Sequence, residues 1–133
     1  MVDRRAFAVT LLVLAALFAF AQPAYAEGGF TSYMKGVREG FDSRTWTDKN
    51  RDTQATQILL ASCTRALRLQ LTREKPWYLP DENRGTRAYW DDPQTRSWGR
   101  QPSGDYHFTV VNYDSGDDIG WVPASCRSVR VRY

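Results

Sequence analysis

The sequence predicts an all-β, small single-domain β-sandwich-like fold with one disulfide, preceded by a signal peptide. Three observations support this. Apolar and polar residues alternate in several short segments, most clearly in residues 105–113 and 128–133. Gly, Pro, Asn and Asp cluster between those segments, as in turns. Two cysteines, far apart in a chain of 133 residues, follow an N-terminal leader.

Residues 1–26 have the organisation of a secretory signal peptide. Arg4 and Arg5 precede an apolar run, and Ala24 and Ala26 supply the small-residue cleavage pattern. The run is shorter than the roughly 20 residues that a membrane-spanning helix needs. We therefore expect cleavage, secretion and no membrane association afterwards. The arginine pair also touches the twin-arginine pattern, so the general and twin-arginine export routes both stay open.

Residues 27–40 form a glycine-rich segment, followed by the sandwich-like domain at residues 41–133. Ordering glycine costs backbone entropy, so this segment is either a first edge strand that packs on the core or a mobile arm. As an arm, it would bind a protein partner by strand addition. The partner-binding candidates are its apolar residues, Phe30, Tyr33, Met34 and Val37.

Residues 41–47 favour a strand, and residues 48–52 (DKNRD) carry the spacing with which a calcium loop begins. Such a loop also needs Gly at its sixth and Glu at its twelfth position, which here are Thr53 and Leu59. Asp and Asn also prefer turns, because their side chains bond the nearby backbone. We predict a hairpin loop and no metal site. One calcium shared with the acidic loop at residues 114–118 stays open.

Residues 53–73 fit either a helix or two strands. A helix would have one apolar face, an Asp52 cap and Pro76 beyond its end. Strands would have apolar residues alternating with polar ones on both sides of a bulge or turn near Cys63. We favour strands, because the rest of the chain has β character.

The stretch Pro102-x-Gly104-x-Tyr106-x-Phe108-x-Val110 resembles the entry into a late strand of many extracellular β-sandwiches. In those domains the Tyr hydroxyl bonds back to the preceding corner. The resemblance is confined to this stretch and implies an architecture, without a family.

Cys63 and Cys126 are expected to form a disulfide, the default for two cysteines in an exported chain. Closing a loop of about 60 residues stabilises the fold by about 4 kcal/mol in the chain-entropy model. The alternation of the last segment places Cys126 in phase with Arg130 and Arg132. Whether the bridge lies in the core therefore stays open.

The segment between Arg73 and Arg100 is rich in breakers and aromatics, so it is a functional loop or conceals strands. Exposed rings among polar groups suit sugar stacking or a protein hot spot. For Trp77, however, as for Trp98, a place in the small core is the favoured interpretation. The glycan-binding or hot-spot candidates are Trp77, Tyr78, Tyr89 and Trp90.

The sequence contains few residues of the kinds that form catalytic sites. His107 is the single histidine, no nucleophile-elbow pattern is present, and zinc ligands are too few. Carboxylates could form a glycosidase-like pair, but such residues more often solvate loops. Arg and Asp are interspersed, which predicts a mixed surface and no nucleic acid partner.

The sequence therefore predicts a secreted, non-enzymatic binding protein without a cofactor. The first candidate function is a protein-binding subunit, adaptor or inhibitor in an extracellular assembly. The alternative is a carbohydrate- or cell-wall-binding module, and the third is a small secreted hydrolase.

Overall fold

Eight β-strands build the protein in a computed structural model that describes residues 27–112 and 123–133. Within those two ranges there is no helix, and so none long and apolar enough to cross a membrane. The predicted signal peptide and the acidic loop at residues 114–118 lie outside the described residues. The strands are β1 (Gly29–Val37), β2 (Trp46–Asp48), β3 (Gln57–Cys63), β4 (Leu67–Glu74), β5 (Glu82–Tyr89), β6 (Gln94–Ser97), β7 (Gly104–Asn112) and β8 (Ala124–Arg132).

The strands form two four-stranded antiparallel sheets. Sheet A has the order β1-β8-β3-β6, and sheet B has the order β2-β7-β4-β5. The buried apolar side chains of both sheets make one core, as expected for a sandwich-like all-β fold. They are Met34, Val37, Trp46, Ile58, Leu60, Leu67, Leu69, Leu71, Tyr89, Trp98, Tyr106, Phe108, Val110, Ala124, Cys126, Val129 and Val131.

Strand β7 confirms the predicted alternation. Tyr106, Phe108 and Val110 are buried, whereas His107 and Thr109 lie on the outer face. The Tyr106 hydroxyl donates a hydrogen bond to the Pro102 carbonyl, so the expected tyrosine corner is present. This bond ties the turn at the start of β7 to the core.

Residues 53–73 are strands, as favoured. β3 and β4 are joined by a short turn at residues 64–66, and Ser62, near the end of β3, has a φ of 54°. This reversal changes the phase of the apolar residues between Leu60 and Leu67. The segment between Arg73 and Arg100 also conceals two strands, β5 and β6.

Residues 48–52 do not form the predicted hairpin loop, because β2 and β3 do not pair with each other. β2 pairs with β7 in sheet B, whereas β3 pairs with β6 and β8 in sheet A, so this segment crosses between the sheets. Its turn chemistry follows the prediction. The Asp48 carboxylate accepts the Asn50 N–H at 2.7 Å, and Asn50 has a φ of 52°.

The disulfide joins Cys63 of β3 to Cys126 of β8, which lie opposite each other within sheet A. Cys126 is buried although the sequence alternation places it in phase with exposed arginines. Between Cys126 and Val129 the register of β8 against β1 shifts by one residue. This bulge brings both residues into the core, and simple alternation does not reveal it.

Candidate functional site

The most exposed apolar group lies in a turn between β4 and β5. We name residues 76–80 (PWYLP) the aromatic turn. The Leu79 N–H donates to the Pro76 carbonyl at 2.8 Å. At the base of the turn, the Lys75 N–H donates to the Asp81 carboxylate at 2.8 Å. Two prolines and these bonds restrict the backbone of the turn.

Three consecutive side chains project from this turn into solvent. Trp77 is 95% exposed, Tyr78 66% and Leu79 49%. The rings of Trp77 and Tyr78 meet edge to face, with centroids 5.7 Å apart and planes at 87°. The expectation that Trp77 fills the core is therefore wrong.

Charged groups hold the strands beneath the turn together. The Glu82 carboxylate lies 2.9 Å from the Lys75 ammonium and 3.4 Å from the Arg73 guanidinium. The hydrogen bond from Lys75, assisted by Arg73, holds the pKa of Glu82 below its ordinary value. The base of the turn is therefore an ionised cluster at neutral pH.

The other predicted aromatic residues do not join this site. Tyr89 is buried, and its hydroxyl donates to the Ile58 carbonyl at 2.7 Å. Trp98 is buried as expected, with its indole N–H donating to the Gly85 carbonyl at 2.8 Å. Trp90 is 58% exposed, but it lies at the far end of β5, roughly 25 Å away at the usual rise per residue. Of the four aromatic candidates, only Trp77 and Tyr78 are in ring contact with each other.

Near Trp90 the surface forms a second candidate site. A depression of about 210 Å³ is lined by Trp90, Arg65, Asp91 and Asp92 among others. Both oxygens of Asp92 already accept backbone N–H groups of β3, from Ser62 at 2.6 Å and Cys63 at 2.7 Å. Asp91 is exposed and lies beside the ring. The site combines one aromatic face with polar groups.

The four candidates in the glycine-rich segment are mostly part of the core. Met34 and Val37 are buried, and Phe30 packs against Trp46 with ring centroids 5.8 Å apart. Tyr33 alone among the four is well exposed, at 70%. The segment is thus the edge strand β1, in which Met34 and Val37 are buried and Phe30 is partly buried.

His107 lies between two carboxylates on the outer face of sheet B. Its Nδ1 is 2.9 Å from Glu74 Oε1, and its Nε2 is 3.8 Å from Asp42 Oδ1. Glu74 thus lies on Nδ1 as the carboxylate of a catalytic triad does, but among the described residues no hydroxyl or thiol is hydrogen-bonded to Nε2. Among the described residues, no group of three His, Cys, Asp or Glu side chains can hold a metal ion.

Charge is divided between the sheets in a way that sequence reasoning missed. The strands of sheet A contain five cationic residues and no Asp or Glu, whereas those of sheet B contain four arginines and four carboxylates. The prediction of a mixed surface therefore fails for sheet A. The signal was present in the last strand, where a period-2 alternation of Val and Arg places the arginines on one face.

Comparisons with known proteins do not narrow the function. No family model matches the chain, and neither the curated proteins nor the solved structures give a match. Function is therefore inferred below from the aromatic turn, the depression beside Trp90 and the charge of sheet A.

Proposed function

We propose that this is a secreted, non-enzymatic binding protein whose aromatic turn anchors a protein partner in an extracellular assembly. The observation that carries the proposal is the exposure of Trp77 and Tyr78 on a turn bounded by two prolines. The disulfide is consistent with an oxidising compartment, which supports the extracellular setting.

Exposed aromatic rings on a restrained backbone suit an interface anchor. Trp and Tyr are enriched among the few residues that dominate binding energy at protein interfaces. Because the turn is already held by its own hydrogen bonds, little backbone entropy is lost when a partner binds. Leu79 adds a third apolar side chain beside the two rings. Together they can fill a pocket on the partner.

The orientation of the rings favours a protein over a polysaccharide at this turn. A sugar chain stacks best on rings that share one plane, whereas the planes of Trp77 and Tyr78 are 87° apart. Such a pair presents an edge and a face, which a shaped apolar pocket can enclose.

The test is a capture experiment with residues 27–133, tagged at the C-terminus, in the culture medium of the producing cells. The double variant Trp77→Ala/Tyr78→Ala should lose a stoichiometric protein companion that the unchanged chain retains. Loss of a hot spot of about 2 kcal/mol weakens binding about thirtyfold. Trp90→Ala is the matched control and should keep the companion. Equal capture by the double variant and the unchanged chain would refute this function.

The depression beside Trp90 supports an alternative, a carbohydrate- or cell-wall-binding module. One exposed ring with the exposed Asp91 beside it can stack on a sugar, while the carboxylate accepts hydrogen bonds from the sugar hydroxyls. In a polysaccharide pull-down, Trp90→Ala should weaken retention by about 1 kcal/mol or more. Trp77→Ala should leave retention unchanged. Equal retention of both variants and the unchanged chain would contradict a carbohydrate site at Trp90.

A further inference from the structure

We propose that the outer face of sheet A binds a linear polyanion with closely spaced phosphate groups. We name Lys35, Arg127, Arg130 and Arg132 the basic face. All four are exposed, and they lie on the neighbouring strands β1 and β8. This site is separate from the aromatic turn, which belongs to sheet B.

Two of these arginines flank one depression. Arg130 and Arg132 are two residues apart on the same face of β8, so their Cα atoms are separated by about 7 Å. Together with Gln57, Leu59 and Thr95 they line a depression of about 130 Å³. Two guanidinium groups, a hydroxyl and an amide there supply the donors that a phosphate group accepts.

The remaining two cations extend the site along the sheet. Lys35 and Arg127 line a second, more open depression of about 270 Å³ beside Tyr33. From Arg127 to Arg132 the strand advances by about 17 Å. Arg127, Arg130 and Arg132 are therefore spread along β8, with Lys35 of β1 beside Arg127, and this elongated arrangement suits an extended polymer.

No carboxylate of sheet A offsets this charge. None of the four strands contains Asp or Glu, and within the described ranges none of the four cations forms an ion pair. Arg73 and Arg84 of sheet B, in contrast, both face Glu82. Cations with no ion-pair partner among the described residues favour a ligand of high linear charge density, because binding releases its condensed counterions. Arginine also matches phosphate with two donors at once.

The experiment titrates residues 27–133 with long-chain inorganic polyphosphate at several salt concentrations. Four contacts predict a slope of log K against log salt of about −3. Arg130→Gln/Arg132→Gln should weaken binding about tenfold at low salt and bring the slope to about −1.4. Arg38→Gln/Arg51→Gln removes the same charge from exposed positions outside the face and should leave the slope close to −3. Unchanged melting temperatures confirm that both variants fold.

Different results would overturn either the position of the site or the class of partner. Equal weakening by the two double variants would overturn the site, because the protein would then respond only to net charge. So would binding that survives Arg130→Gln/Arg132→Gln. Tighter binding to duplex DNA than to polyphosphate, or equal affinity for monophosphate, would overturn the partner class. Trp77→Ala/Tyr78→Ala should retain polyphosphate, so failure of the aromatic turn as an anchor leaves this test intact.

Discussion

Replacing Tyr106 by Phe tests whether the tyrosine corner stabilises the sandwich. Tyr106 is buried, and its hydroxyl donates to the carbonyl of Pro102, four residues earlier in the chain. Burial raises the pKa of this hydroxyl, so it stays a donor through neutral and mildly alkaline pH. The change deletes one oxygen and keeps the ring that packs beside Trp46.

The expected cost follows from the lost bond and its acceptor. A hydrogen bond contributes about 1 kcal/mol net, and an acceptor left without a donor costs more when it is buried. Pro102 is half-buried, so leaving its carbonyl without this donor should cost less than at a fully buried acceptor. We expect Tyr106→Phe to lower the free energy of unfolding by about 1 to 1.5 kcal/mol. In a domain of this size, each kcal/mol of lost stability lowers Tm by about 4–8 °C.

Urea unfolding of the oxidised protein measures this cost, with Tyr78→Phe as the control. Tyr78 is exposed and loses the same oxygen, so its change should stay within about 0.5 kcal/mol. Equal destabilisation by the two variants would show that the corner adds nothing. The slope of the transition should not change, because the surface exposed on unfolding is the same.

Three further predictions concern charge, the disulfide and a glycine. Burial, and then the neighbouring Glu27, raise the pKa of Asp48 above 3.8, so the folded state binds its proton more tightly than the unfolded chain. The Asp48→Asn variant should therefore have a larger free energy of unfolding than the unchanged protein at pH 7. In urea titrations this difference should vanish as pH falls below 3.8, where Asp48 is protonated in both states. A difference that persists at low pH would contradict the raised pKa. Cys63→Ser/Cys126→Ser should cost about 2–5 kcal/mol in the same assay, and a smaller loss would mean that the closed loop contributes little. Gly85→Ala should destabilise by about 1 kcal/mol or more, since Gly85 has a φ of 106° and a Cβ would lie 3.1 Å from Arg87 Nη1; an unchanged Tm would show that β5 relaxes there.

Faces of strands could be predicted from the sequence, but their partners could not. Alternation in residues 105–113 identified which side chains of β7 are buried, because successive side chains point to opposite faces. The same alternation does not show which strands pair with each other. The segment at residues 48–52 has hairpin composition, yet it crosses between sheets, since pairing is decided by the whole core.

The candidate site was predicted in part. Composition singled out Trp77 and Tyr78, but it could not separate them from the buried Tyr89, because all three are large rings in one breaker-rich segment. Whether a ring in this segment is buried depends on where β5 lies. Gly85 interrupts the regular alternation of β5, so the sequence does not reveal the bounds of the strand. The charge of sheet A also escaped prediction, since it appears only when β1, β3, β6 and β8 are known to be neighbours.

The disulfide also determines what a protease can release. Cys63 and Cys126 enclose the aromatic turn and the exposed residues 91–93 in one covalent ring. Exposed loop tips are where proteases cut first. After a single cut in either place, the two fragments would stay joined through the bridge. A nick in the aromatic turn would therefore break the proposed anchor while the basic face of sheet A stayed attached to the same molecule.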